Sequence, residues 1–70
     1  MKYILKTKGT DKIPDYLQIR DEEFQLIVHC TERNAARIFE KNNIHFINEN
    51  ILEFIKEMPF GKLIKLEEKQ

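Results

Sequence analysis

The sequence predicts a small α+β domain in two layers: a mostly antiparallel sheet of about four strands, in the order β-β-β-α-α-β, with two helices on one face. Two observations predict this fold. Apolar and polar residues alternate between residues 16 and 30, which is typical of half-buried strands. Apolar residues then recur at helical spacing in two segments between residues 31 and 58. Because a sheet with one apolar face needs a cover, we expect both helices to lie on that face.

The length and composition of the chain limit what it can be. Its 70 residues suffice for one domain of marginal stability, so we expect residues 1–70 to form a single domain whose last residues, 67–70, fray. Cys30 is the only cysteine, so no disulfide can form within the chain, and no segment has the roughly 20 apolar residues that cross a bilayer. These features predict a cytoplasmic protein without a membrane partner.

The first strand is predicted over the apolar residues 3–5. Lys2 and Lys6 flank this run, and because lysines discourage unwanted pairing at the rim of a sheet, the pattern predicts an edge strand. Residues 9–11 then predict a turn, and Pro14 excludes a central strand at its position.

A hairpin is predicted between residues 16 and 30, where two alternating runs are joined by a loop at residues 20–23. The loop has neither the glycine nor the asparagine that a two-residue turn prefers, which favours the longer loop. Opposed residues share a face, so the pattern predicts a register that puts the apolar side chains on one side. The predicted pairs are Ile19 with Phe24 and Leu17 with Leu26, and on the other side Gln18 with Gln25 and Tyr16 with Ile27.

Two helices are predicted after the hairpin. Thr31 is a suitable N-cap for the first helix, which is expected to end at residues 42–43, where two asparagines favour a left-handed turn. The second helix is expected to begin after Asn48 or after Asn50, and Pro59 ends it.

The remaining segments complete the sheet. Residues 62–67 alternate imperfectly and predict the last strand. Residues 44–47 are ambiguous, since they suit either a buried connection or a fifth short strand. With a fifth strand, the domain would instead have a five-stranded, ferredoxin-like or split βαβ arrangement.

Cys30 and the two histidines are the candidates for catalysis or metal binding. His29 adjoins Cys30 in a predicted strand, so their side chains point to opposite faces and cannot form a catalytic dyad. Cys30 also continues the apolar face of its strand, which favours a place in the core. His45 has no partner at a metal-binding spacing. We therefore predict no catalytic residue, no metal and no cofactor, and a small enzyme or metal carrier is the least favoured function.

A basic stripe is predicted on the first helix, where Arg33, Arg37 and Lys41 recur every four residues. Such a stripe is a candidate contact for an anion or a nucleic acid. However, the chain has 12 basic and 12 acidic residues, and a net charge of zero creates no overall attraction to nucleic acids or to an anionic membrane. A solvated helix face is therefore the favoured interpretation, and a nucleic-acid-binding accessory protein is the alternative function.

The polar-side face of the sheet is the strongest candidate for a binding surface. It combines apolar area with hydrogen-bonding groups, a mixture that suits a protein interface, although an ordinary solvated face is an equal alternative. Its predicted members are Tyr16, Gln18, Gln25, Ile27 and His29. We therefore expect a small non-catalytic protein-interaction module whose partner is another copy of the chain or a different protein. The sequence leaves open whether a small molecule binds.

Overall fold

The computed structural model describes residues 1–48 and 50–68. Within these ranges the chain forms one antiparallel sheet of four strands in the order β3-β2-β1-β4, together with two α-helices. This confirms the predicted α+β class and the β-β-β-α-α-β order. The strands are β1 Lys2–Thr7, β2 Tyr16–Arg20, β3 Leu26–Thr31 and β4 Leu63–Leu66, and the helices are α1 Ala35–Lys41, preceded by a 3-10 turn at Glu32–Asn34, and α2 Ile51–Glu57.

Both helices pack on one side of the sheet, which we call the covered face. Alternate residues of the strands point to this side and meet apolar residues from the helices and from the segments that follow them. The burial of this apolar surface is the main force that stabilises the fold. The buried cluster consists of Ile4, Leu17, Ile19, Val28 and Cys30 from the sheet and Ala35, Phe39, Ile44, Phe46, Ile55 and Met58 from the other layer.

The first strand is central, so the predicted edge strand is wrong. β1 lies between β2 and β4, and the side chain of Lys6 points into the covered face, where the residue is only 3% exposed. Its Nζ donates to the carbonyl oxygens of Ile55 at 2.8 Å and Lys56 at 3.1 Å, near the end of α2. The last carbonyls of a helix lack partners within the helix, and a cation suits them. Lys6 thus joins two layers rather than protecting an edge.

The register of the hairpin is also different from the predicted one. Ile19 lies opposite Val28 and Leu17 opposite Cys30, so β3 is paired four residues further along than predicted. A slip by an even number of residues keeps each side chain on the same face, and alternation alone therefore cannot distinguish the two registers. The loop decides between them, because the side-chain Oδ1 of Asp21 accepts hydrogen bonds from two backbone amides and closes a turn over residues 21–25.

Two residues predicted for the apolar face leave it as a consequence. The register shifts between Ile19 and Arg20, so that Leu26 lies opposite Arg20 and Ile27 is the extra residue of a β-bulge. Phe24 lies in the loop with a φ of 65°. Both Phe24 and Leu26 are exposed instead of contributing to the core.

Both ends of α1 follow their predicted signals, whereas neither predicted cap bonds an amide of α2. The hydroxyl of Thr31 accepts a hydrogen bond from the amide of Asn34 at 3.3 Å, so Thr31 caps the 3-10 turn that leads into α1. Asn43 has a φ of 55° beyond the end of α1, which confirms the left-handed turn. Asn48 accepts a hydrogen bond from the amide of Asn50 at 2.9 Å, whereas the side chain of Asn50 makes no capping bond to α2.

The segment between the helices is a buried connection. Ile44 and Phe46 belong to the core, and within the described ranges the segment forms only an isolated bridge between Phe46 and Glu68. The five-stranded alternative is therefore not the observed fold. At the end of the chain the carbonyl of Glu67 accepts a hydrogen bond from the amide of Ile47 at 3.0 Å. Of the four residues predicted to fray, 69 and 70 lie outside the described residues. Among the described residues, no helix is long and apolar enough to cross a membrane.

Candidate functional site

The side of the sheet opposite the helices is the candidate functional surface, and we call it the open face. The strand registers place alternate residues of all four strands here, and the bulge puts Leu26 on the same side as the adjacent Ile27. No described helix packs against it. Its central members are Tyr3 and Leu5 in β1, Tyr16, Gln18 and Arg20 in β2, Leu26, Ile27 and His29 in β3, and Leu63 and Lys65 in β4.

One end of the open face gathers the predicted interface residues. Gln18 lies opposite His29, and the rings of Tyr16 and His29 pack with centroids 4.8 Å apart. Ile27 lies on the same side of β3 as His29 and is exposed. Gln25, in contrast, lies in the loop, where its backbone N–H donates to the side-chain Oδ1 of Asp21. Four of the five predicted residues thus share this surface, but their cross-strand pairs differ from the predicted ones.

The other end of the open face is shaped by the hairpin loop. The ring of Phe24 lies over the ring of Tyr3 with centroids 4.7 Å apart. Arg20 holds this arrangement, since its guanidinium donates to the carbonyl of Phe24 at 2.9 Å and to the side-chain oxygen of Gln18 at 3.0 Å. A loop residue therefore covers part of the sheet from its own end.

Sequence reasoning left the orientation of Tyr3 open and did not assign Leu5 or Leu63 to this surface. Tyr3 and Leu5 alternate with the buried Ile4 and Lys6 along β1, and Leu63 alternates with Ile64 along β4. This alternation was the available signal. It assigns a residue to one of two faces, but it does not say which face the helices cover.

Large apolar side chains of the open face are exposed to solvent. Leu26 is 50% exposed, Ile27 43% and Leu63 41%. Arg20 and Lys65 are the charged residues at the strand positions of this face, and none of those positions is acidic. The surface therefore combines aromatic rings, aliphatic side chains and two cations, which is unlike a solvated polar face.

The predicted basic stripe lies elsewhere. Arg33 belongs to the 3-10 turn, whereas Arg37 and Lys41 belong to α1, and all three are exposed on the helical side of the molecule. Because a 3-10 turn has a different pitch from an α-helix, Arg33 does not continue the spacing of the other two as a single helix would. Within residues 1–48 and 50–68, none of the three forms an ion pair.

The candidates for chemistry are separated from one another. Cys30 is buried on the covered face, and burial raises the pKa of its thiol, which disfavours the reactive thiolate. His29 lies on the opposite face of the same strand, and His45 is exposed in the connection after α1. Among the described residues, no three histidine, cysteine or acidic side chains converge on a point where a metal ion could be held.

A groove also runs between the two helices. It has a volume of about 540 Å³ and an apolar floor that includes Ala36, Leu52 and Ile55. Its lining carries acidic and basic side chains together, among them Glu53 and Lys56, so its charge favours neither an anionic nor a cationic ligand.

Comparisons of the chain with protein-family models, with curated proteins and with solved structures found no match. The chemistry of the surfaces is therefore the guide to function. Of these surfaces, the open face has the clearest character, because the sheet beneath it holds its side chains in fixed rows.

Proposed function

We propose that this chain is a non-catalytic protein-interaction module that binds a second copy of itself through the open face. One observation carries the proposal: aliphatic side chains are exposed on both flanks of the face, with Leu26 and Ile27 on β3 and Leu63 on β4. A domain of this length buries little apolar surface by itself and gains stability when such a face is covered.

The composition of the open face suits a protein partner. Protein interfaces are enriched in aromatic residues and arginine, and this face offers Tyr3, Tyr16 and Arg20 on its two central strands. Its size supports a weak association. Strands about 4.8 Å apart and about six residues long give a face of roughly 20 Å by 20 Å. Stable interfaces bury about 800 Å² per partner, which is about twice the area of this face. We therefore expect a weak dimer whose population depends strongly on concentration.

The distribution of aliphatic residues supports a second copy as that partner. Two antiparallel sheets pack face to face about 10 Å apart, and identical chains do so around a twofold axis. With the axis along the strands, β3 of one copy lies over β4 of the other. Leu26 and Ile27 then lie over β4 beside Lys65, and Leu63 lies over His29, so each edge strand covers exposed apolar surface of the other copy.

The test measures the molar mass of the chain by sedimentation from about 1 μM to about 1 mM, the range in which a weak dimer forms. Wild type is expected to increase in mass with concentration. Leu63→Glu places a charge on the open face and is expected to lower the mass at each concentration. Leu52→Glu is the matched control, because Leu52 is similarly exposed, at 47%, but lies on α2. A wild type that stays monomeric throughout, or equal effects of the two variants, would contradict the proposal.

A second candidate function is the binding of single-stranded nucleic acid by the same face. It is supported by Tyr3 and Tyr16 on the two central strands, since bases stack on such rings, and by Arg20 and Lys65 without an acidic neighbour at the strand positions. It ranks second because bases do not require the exposed aliphatic residues.

Fluorescence anisotropy with labelled single-stranded RNA and DNA at low salt tests this candidate. Tyr16→Ala is expected to weaken binding if bases stack on the open face, whereas Arg37→Glu is expected to weaken it if the basic stripe contacts phosphates. Absence of binding to either probe would remove both versions.

A further inference from the structure

We infer that the free edge of β3 is a second self-association surface, at which the β3 strands of two copies pair antiparallel and join two sheets into one. The strand order leaves β3 and β4 at the two edges of the sheet. This inference shares with the proposed function the identity of the partner, but it uses the backbone groups at the edge of β3 and not the side chains of the open face.

The two edges differ in their protection. β4 is flanked and occupied by Lys62 and Lys65, and its extension is already bridged, since the amide of Ile47 donates to the carbonyl of Glu67 at 3.0 Å. Lysines and covering segments are the usual means of preventing a strand edge from pairing. The six residues of β3, in contrast, include no lysine, no acidic residue and no proline.

The hydrogen bonds of the hairpin show which backbone groups of β3 point to the free edge. The amide of Glu32 donates to the carbonyl of Asp15 at 3.0 Å, and this pair continues the β2–β3 register by one step. Hydrogen-bonded pairs alternate along an antiparallel ladder, so the inward pairs are Leu17 with Cys30 and Ile19 with Val28. The N–H and C=O groups of His29 and Thr31 therefore point away from β2.

These outward groups suit a second copy of the same strand. A twofold axis perpendicular to the sheet sets two β3 strands antiparallel, so that the outward donors of each copy meet the outward acceptors of the other. β3 contains no lysine, arginine or acidic residue, so no such charges oppose the approach of its two copies. Two β4 strands would instead bring lysines together. The bulge at Ile27 confines the pairing to residues 28–31.

The decisive variant is His29→Pro, which removes an outward N–H while leaving the inward hydrogen bonds of β3 in place. Lys65→Pro is the matched control. The carbonyl of Glu67 points away from β1, and by alternation the amide of Lys65 also points outward on the other edge. Both variants are compared in the Leu63→Glu background, in which the open face is blocked.

The expected results separate the two surfaces. Wild type reaches assemblies larger than a dimer at high concentration, and Leu63→Glu retains a dimer formed by the edge. In that background, His29→Pro lowers the association constant of the residual dimer at least tenfold, whereas Lys65→Pro leaves this constant unchanged. Circular dichroism checks that each variant is folded. If His29→Pro does not fold, His29→Lys replaces it, because a lysine on an edge strand opposes pairing in the folded chain.

Two results would overturn the edge inference. One is a Leu63→Glu variant that is strictly monomeric up to about 1 mM, the concentration at which even very weak association is seen. The other is a residual dimer that a folded His29→Pro or His29→Lys variant leaves intact. In either case the proposed function survives if the Leu63→Glu variant has a lower mean molar mass than wild type at the same concentration. The reverse pattern, in which only the edge variants lower the mass, removes the open-face proposal and keeps this one.

Discussion

The two faces of the sheet are built from the same strands but differ in how much of their apolar surface is buried. On the covered face Ile4, Leu17 and Ile19 are fully buried beneath the helices. On the open face Leu26 and Leu63 stay exposed by two-fifths or more of their surface. The strands alternate on both sides, and the face that the helices cover becomes the core. The apolar residues of the open face therefore contribute little to the fold and remain available for a partner.

Lys6 on the covered face and Arg20 on the open face differ in what they join. Lys6 crosses from the sheet to the carbonyls near the end of α2. Arg20 stays within its own layer, binding Gln18 beside it and the carbonyl of Phe24 in the loop. A buried cation needs partners that are already in place, because desolvation is costly without them. The covered face supplies such partners for Lys6 through the helix end, whereas Arg20 is only half-buried.

The largest expected effect compares one leucine on each face. Leu17→Ala removes a fully buried side chain and is expected to lower the free energy of unfolding by about 2–5 kcal/mol. Leu63→Ala is expected to change it by less than about 0.5 kcal/mol. Urea unfolding at low protein concentration measures both, so that self-association does not contribute. If Leu63→Ala costs as much as Leu17→Ala, the open face is covered whenever the chain is folded.

The next effect concerns the two lysines of β1 and β4. Lys6→Met leaves the carbonyls of Ile55 and Lys56 without their donor and is expected to cost about 1–3 kcal/mol. Lys65→Met, on the open face, is expected to be nearly neutral. The same unfolding measurement applies. A Lys6→Met variant as stable as wild type would mean that packing of the methionine offsets the lost hydrogen bonds, and the cation would then not be needed to join the layers.

Much of the covered face could be predicted from the sequence, because it depends on local patterns. Alternation placed Leu17, Ile19, Val28 and Cys30 on one side, and this side is the core. The cap at Thr31 and the left-handed asparagines are equally local signals. Each of these features requires only a few neighbouring residues to be recognised.

The errors concern which strands are neighbours, which is not a local property. The edge prediction failed because Lys6 finds its partner 49 residues away, at Ile55. The register failed because two pairings that differ by four residues give the same faces. The open face was predicted only in part for the same reason: Tyr16, Gln18, Ile27 and His29 share one hairpin, whereas Tyr3 and Leu63 join them only through β1.

A smaller effect is expected where the hairpin loop covers the open face. Phe24→Ala removes the ring that packs on Tyr3 and is expected to cost about 0.5–1.5 kcal/mol. Phe24→Gly removes the same ring but relieves the φ of 65°, a conformation that costs other residues about 1–2 kcal/mol. We therefore expect the glycine variant to be at least as stable as the alanine variant in thermal unfolding. A glycine variant clearly less stable than the alanine variant would show that the loop does not hold this conformation in solution.

The smallest expected effect tests whether burial, and not charge alone, determines how much Lys6 contributes to stability. Lys2 alternates with Lys6 on the same side of β1, but it lies at the end of the sheet and binds Glu68 at 2.9 Å. The hydrogen bond from Lys2 lowers the pKa of Glu68, and the nearby amino group of Met1 lowers it further. Partly exposed pairs of this kind contribute less than about 1 kcal/mol.

The pKa of Glu68 is lower in the folded chain than its ordinary value of 4.5. Its contribution to stability is therefore present above that value and is lost as the pH falls through the lower pKa of the folded chain. Wild type is therefore expected to exceed Glu68→Gln slightly in stability at about pH 7 and to equal it in strong acid. Glu67→Gln is the control, because the side chain of Glu67 is exposed beside the pair. If Glu68→Gln costs as much as Lys6→Met, the helix carbonyls around Lys6 supply no more stability than a carboxylate at the rim, and burial does not distinguish the two lysines.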